Sequence, residues 1–194
     1  MRVMVAGTWV GPGIPAATAV ASAWQQVMPR PYSLLAVDST PSEAQLKTLW
    51  QQISAWEGEK MGQELVHKQP LLVLAGSLAE PIGPGQTWAD LAKAWGFTLL
   101  LTVPRGGALS QATAFAALLR QAKAHCLGWV LLGSPPESCG PEPGSPWDPQ
   151  MLAELDSTLA ANLEAQLGLP VLGRMTLEGE ILWDTDFLEQ FGYT

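Results

Sequence analysis

The chain has 194 residues, 47% hydrophobic and only 14% charged, with a net charge of −8. That length suits one domain with a sizeable core, and residues 1–194 are read as one. The acidic balance and lack of a Lys/Arg cluster argue against nucleic acid or an anionic membrane as partner, and no apolar stretch reaches the roughly 18 residues of a membrane span. The apolar start turns at Gly7, too short for a signal-peptide core, so a cytoplasmic location is expected.

Apolar runs alternate with helical periodicities along the chain. Strands are expected at Arg2–Ala6, Ser33–Val37, Leu71–Ala75, Thr98–Val103, Gly128–Leu132 and Pro170–Leu172. They lack polar/apolar alternation, as strands covered on both faces do. The first helix is expected over Ala16 to Met28. Thr40-Pro41-Ser42-Glu43 reads as a capping box opening the second, with Leu46, Leu49, Trp50, Ile53 and Trp56 as its apolar stripe. Thr87 is expected to cap a helix from Trp88 to Trp95, stopped by Gly96. Ser110 is expected to open the next, with Ala114, Phe115, Leu118, Leu119 and Ala122 facing inward. Asp148-Pro149 starts the last long helix, lined by Leu152, Leu155, Leu159, Leu163 and Leu167 and ended by Gly168. Met175 to Trp183 reads as a hairpin turning at Glu178-Gly179. The polar segment Gly58 to Lys68 and the Pro-rich segment 133–149 read as irregular, the second as a loop or lid. The whole pattern predicts a doubly wound α/β fold, a largely parallel sheet with helices on both faces.

Between the first strand and first helix lies Gly7-Thr8-Trp9-Val10-Gly11-Pro12-Gly13-Ile14-Pro15. This is the strand–loop–helix setting of a phosphate loop, but a working loop ends in Gly-Lys-Ser/Thr, the lysine for the β/γ-phosphates and the hydroxyl for Mg²⁺. Ile14 and Pro15 stand at those positions. Gly7, Thr8, Gly11 and Gly13 remain as candidate phosphate contacts. The helix N-terminus still favours an anion, although Pro12 and Pro15 each remove an N–H donor.

The ordered set of segments resembles the dethiobiotin synthetase family, ATP-dependent ring-closing enzymes of biotin synthesis. Gly7, Thr8 and Gly13 match that family's Gly-Thr-x-Thr-x-Val-Gly-Lys-Thr loop. Trp88-Ala89-Asp90-Leu91-Ala92 before Leu99-Leu100-Leu101-Thr102-Val103, and Arg105-Gly106-Gly107-Ala108-Leu109-Ser110, look like its later segments, as do Leu127-Gly128-Trp129-Val130 and Gly168-Leu169-Pro170-Val171-Leu172-Gly173. The resemblance implies a P-loop NTPase-like fold, a homodimer, and use of ATP and Mg²⁺. The departures bear on the chemistry. No lysine stands near Val37-Asp38-Ser39, where the family holds its substrate. Ala75 replaces a metal-binding Glu, and Leu132-Gly133 an adenine-reading Asn-Asp.

Phosphoryl transfer depends on positioning and on Lys and Mg²⁺ meeting the phosphate charge. The expectation is therefore a pseudoenzyme with no catalytic residue, no metal ligand and no cofactor, acting through a protein partner or a small molecule. The alternative is a divergent synthetase, carboxylating and cyclising diaminopelargonate with ATP and Mg²⁺. A regulator of the ParA kind shares the fold but would also need the lysine.

Among single residues, Arg105 and Arg174 follow strands at the edge where α/β sites lie, and surface solvation or capping is the plainer reading for Arg105. Asp90 reads as a cap of its own helix and Glu80 as solvated. Cys126 is expected to pack as a reduced, small apolar residue; Cys139, His67 and His125 show no metal spacing. Trp24, Trp50, Trp56, Trp88 and Trp95 are expected mostly in the core, whereas Trp9 could plug the loop or anchor a partner.

Overall fold

A computed structural model describes residues 1–7, 13–28, 31–58, 69–133, 149–176 and 178–190, the side chains of 13–15, 56–58 and 149 excepted. The elements in chain order are β1 (Arg2–Gly7), α1 (Gly13–Val27), β2 (Tyr32–Val37), α2 (Glu43–Gly58) and β3 (Gln69–Ser77). There follow β4 (Pro81–Gly83), β5 (Gln86–Thr87), α3 (Trp88–Ala94), β6 (Phe97–Pro104) and α4 (Ala108–Ala122). The chain continues with β7 (His125–Leu132), α5 (Pro149–Leu167), β8 (Val171–Met175), β9 (Ile181–Trp183) and α6 (Thr185–Gln190). Seven strands form one sheet in the order β2-β3-β1-β6-β7-β8-β9, parallel except for β9, which runs antiparallel to β8. This is the doubly wound, P-loop NTPase-like α/β fold.

Crossover handedness explains how the helices are shared out. The step from β1 to β2 moves toward one edge of the sheet, and every later parallel step moves the other way. Right-handed crossovers then put α1 alone on one face and α2, α3, α4 and α5 on the other. The core divides accordingly. Leu49, Ile53, Trp88, Ala92, Phe115, Leu119 and Leu163 pack on one side of the sheet, and Ala17, Val20, Ala21 and Trp24 on the other. A single crossover helix cannot cover seven strands, and bulky aromatics supply the missing volume. Trp24 meets Trp183 edge-on at 5.7 Å between centroids and Phe187 of α6 at 5.8 Å.

Several local expectations shift. The second helix is capped by Ser42 and Gln45, not Thr40 and Glu43: the Gln45 N–H donates to Ser42 Oγ (3.3 Å), and the Ser42 N–H to Gln45 Oε1 (2.7 Å). Pro41 therefore precedes the cap. α4 starts at Ala108 after Gly107, whose φ of +75° suits glycine. Ser110 lies inside the first turn, and its hydroxyl donates to the Gly107 carbonyl. The buried face of α4 rotates to Ala108, Ala112, Phe115, Ala116 and Leu119, leaving Ala114 exposed. Trp24 and Trp88 are fully buried as expected, but Trp50 is exposed and lies against Trp95 and beneath the Arg2 guanidinium. The short β4–β5 hairpin was not legible, because Ile82-Gly83-Pro84-Gly85 reads as loop. Residues 59–68 and 134–148, with His67, Cys139 and Asp148, lie outside the described residues.

Candidate functional site

The C-terminal edge of the parallel strands is where an open α/β sheet places its ligands. Gly7 ends β1 there, in register with Ser77 of β3 on one side and Thr102 of β6 on the other. The buried Thr102 hydroxyl donates to the Ala6 carbonyl at 3.3 Å, which fixes the end of β1. Helix α1 begins at Gly13. Two of the four candidate phosphate contacts, Gly7 and Gly13, thus bracket the loop. Thr8 and Gly11 lie outside the described residues, as does Trp9.

Arg105 is neither solvated nor a cap. It is 2% exposed, and its guanidinium grips Asp156 of α5 through two parallel bonds, Nε to Oδ1 at 2.6 Å and Nη2 to Oδ2 at 2.9 Å. Nη2 also donates to the Met175 carbonyl at 2.7 Å, and Nη1 donates to the Gly133 carbonyl. Four of its roughly five N–H donors are therefore engaged inside the protein. Arg174 lies at the rim, with its side chain 43% exposed and Nε 3.9 Å from Asp156 Oδ2. A cavity of about 320 Å³ opens beside the pair, lined by Arg105, Asp156, Arg174, Thr176 and Glu178 among others. Asp156 was missed in the sequence. Its signal is positional: an acid between Leu152 and Leu159 at the spacing of the apolar stripe.

The other half of the edge belongs to β2 and β3. Residues Ser77 to Glu80 form a turn in which the Glu80 N–H donates to the Ser77 carbonyl (3.1 Å) and the Ser77 N–H donates to Glu80 Oε1 (3.2 Å). Glu80 is thus half-buried, not solvated, and its Oε2 is buried with no hydrogen-bond partner. The Trp88 indole N–H donates to the Ser39 carbonyl at 2.7 Å, clamping the end of β2 onto this turn. Asp90 behaves as expected. Its carboxylate accepts from the Thr87 N–H and hydroxyl, and these bonds, the backbone one foremost, hold its carboxyl below the usual range. The Cys126 thiol lies in apolar surroundings that push it up to about 12, the behaviour of a packing residue. Among the described residues no three His, Cys, Asp or Glu side chains converge as a metal cluster.

No protein-family model matches the chain. It is 31% identical over 156 residues to the ATP-dependent dethiobiotin synthetase BioD of Synechocystis sp., an alignment spanning 77% of this chain and 58% of that protein. The chain thus spans less than two thirds of the length of the curated relative it matches. The match and the doubly wound sheet together support a dethiobiotin synthetase-like relationship.

Proposed function

We propose that this protein is a dethiobiotin synthetase-like pseudoenzyme, which no longer transfers phosphate and works by binding a protein or small molecule, as a homodimer in the cytoplasm. The observation that carries this reading is the fate of Arg105. It is one of two arginines at the ligand-facing edge, with Arg174 at the rim, and it is sealed against Asp156, Gly133 and Met175 rather than left to meet an anion. Ile14 and Pro15 offer neither cation nor hydroxyl, and Ala75 offers no carboxylate. These residues do not fit ATP and Mg²⁺ in the phosphate loop. Gly7, Gly11 and Gly13 supply at most backbone contacts, and Thr8 one hydroxyl besides, to a weakly held anion.

The second reading, a divergent ATP-dependent dethiobiotin synthetase, draws on the hydroxyl residues flanking Gly7 in register, Ser77 and Thr102, and on the similarity to BioD. Calorimetry separates the two. ATP with Mg²⁺ is titrated against Mg²⁺ alone, with Gly13→Arg as the variant that blocks the loop. The pseudoenzyme reading expects no nucleotide heat at millimolar ATP. Micromolar binding abolished by Gly13→Arg supports the synthetase.

A further inference from the structure

An edge strand with unpaired backbone groups invites another strand, and native sheets guard such edges with short strands, charged side chains, proline or bulges. The β9 edge is guarded by its length of three residues. The β2 edge is not. β2 has six residues, none of them charged or proline, and it pairs with β3 without a bulge. The hydrogen bonds show which of its groups face out. The Gln69 N–H donates to the Pro31 carbonyl at 2.9 Å, and successive residues of a strand turn their backbone groups to opposite sides. Ser33, Leu35 and Val37 therefore bond toward β3, whereas Tyr32, Leu34 and Ala36 face outward. The Tyr32 carbonyl agrees, since it accepts from the Gln25 side-chain amide of α1 at 3.1 Å. Among the described residues the outward backbone groups of Leu34 and Ala36 have no partner.

We propose that two copies of the chain meet at this edge, β2 against β2 in antiparallel pairing about a two-fold axis at Leu34. The outward groups fix that register. Leu34 bonds the partner's Leu34 in both directions, and Ala36 faces the partner's Tyr32. Charge selects a second copy as the occupant. Two chains of net charge −8 repel except where their surfaces are neutral, and the strip from Pro31 to Val37 carries no charge. In the sequence Arg30 stands four residues before Leu34 and Asp38 four after it. Antiparallel pairing about Leu34 sets position 30 of one copy opposite position 38 of the other, so unlike charges meet at both ends. The helical layer above is compatible. A groove of about 350 Å³ between β2 and α2 is lined by Ala36, Asp38, Ala44, Thr48 and Gln52 among others, and among the described residues that line it Asp38 alone is charged. Ala44, Thr48 and Gln52 recur every four residues as an exposed, uncharged flank of α2, open to a second α2 alongside. The pairing joins two seven-stranded sheets into one.

The inference rests on the homodimer of the proposed function and gives it a face. Sedimentation of the full chain tests it. The wild type is expected at twice 20.7 kDa, and Ala36→Pro should weaken association at least tenfold. That proline removes an outward N–H and no bond to β3, so circular dichroism should stay unchanged. The charged ends give a second test that leaves the strand intact. Arg30→Asp and Asp38→Arg should each weaken association several-fold, and the two together should restore it, which a contact elsewhere on the surface would not do. A dimer that Ala36→Pro leaves unchanged, or charge variants that do not rescue one another, overturns the β2 face and leaves the homodimer standing. A wild type that stays monomeric at high micromolar concentration overturns both. Neither result alters the nucleotide calorimetry, which tests the loss of synthetase function separately.

Discussion

Replacing Asp156 by alanine should be among the most damaging single changes available in this protein. Asp156 is 3% exposed and takes two bonds from Arg105, itself 2% exposed. Removing the carboxylate leaves a guanidinium that is only 2% exposed, with the Gly133 and Met175 carbonyls as its remaining hydrogen-bond partners. Breaking a buried pair from one side costs about 3–5 kcal/mol. For a chain of this size each kcal/mol lowers the melting temperature by roughly 2–4 °C, so a fall of roughly 6–20 °C is expected. Urea unfolding followed by tryptophan fluorescence measures it, with the midpoint falling and the slope unchanged. The double variant Arg105→Met/Asp156→Leu should recover most of the loss, since two apolar side chains of similar size need no counter-charge. If Asp156→Ala lies within about 1 kcal/mol of the wild type, the pair is wet and mobile. Arg105 would then be free to bind an anion, and the reasoning would fail.

Gly128→Ala would put a Cβ 2.3 Å from the Pro170 carbonyl oxygen and 2.8 Å from Leu172 Cγ. A loss of about 1–3 kcal/mol is expected from forcing β7 and β8 apart, measured by the same urea titration. Thr87→Ala removes the capping box of α3 and should cost about 1 kcal/mol. The Asp90 half of that box depends on pH. Its folded-state pKa is depressed, so its stabilisation is complete above the carboxyl's unfolded pKa and is lost as pH falls through the lower folded value. Thermal melts of wild type and Asp90→Asn should therefore converge on going from pH 7 to pH 3. Cys126, pushed up to about 12, should resist thiol reagents at pH 8 in the native protein and react on unfolding; peptide mass spectrometry of the labelled chain reads this directly.

The fold was legible because its strands are long and apolar and its helices carry punctuation. Thr87 with Asp90 caps the start of α3 as expected, and Gly96 and Gly168, at positive φ, sit where helix stops were expected. The errors were local and have a common cause. Thr40-Pro41-Ser42-Glu43 offers two competing hydroxyl caps, and tertiary placement chose Ser42. The α4 stripe keeps Phe115 and Leu119, whereas its buried small residues are Ala108, Ala112 and Ala116 rather than Ala114. The site was less legible. Arg105 and Asp156 are 51 positions apart, and no periodicity links a residue after a strand to one inside a distant helix. Glu80 looked solvated because it follows a strand in a polar turn. Its Oε1 is held by the Ser77 N–H, and Ser39, bound by Trp88 from 49 positions away, packs with it against Gly76.

The central claim is the absence of synthetase turnover, and one measurement tests it most directly. Purified full-length protein is incubated with ATP, Mg²⁺, bicarbonate and diaminopelargonate, and dethiobiotin is quantified by mass spectrometry beside Gly13→Arg and a no-protein control. The account predicts product at the no-protein level in both proteins. Dethiobiotin formed by the wild type and lost in Gly13→Arg would contradict it and establish a synthetase that works without the loop lysine.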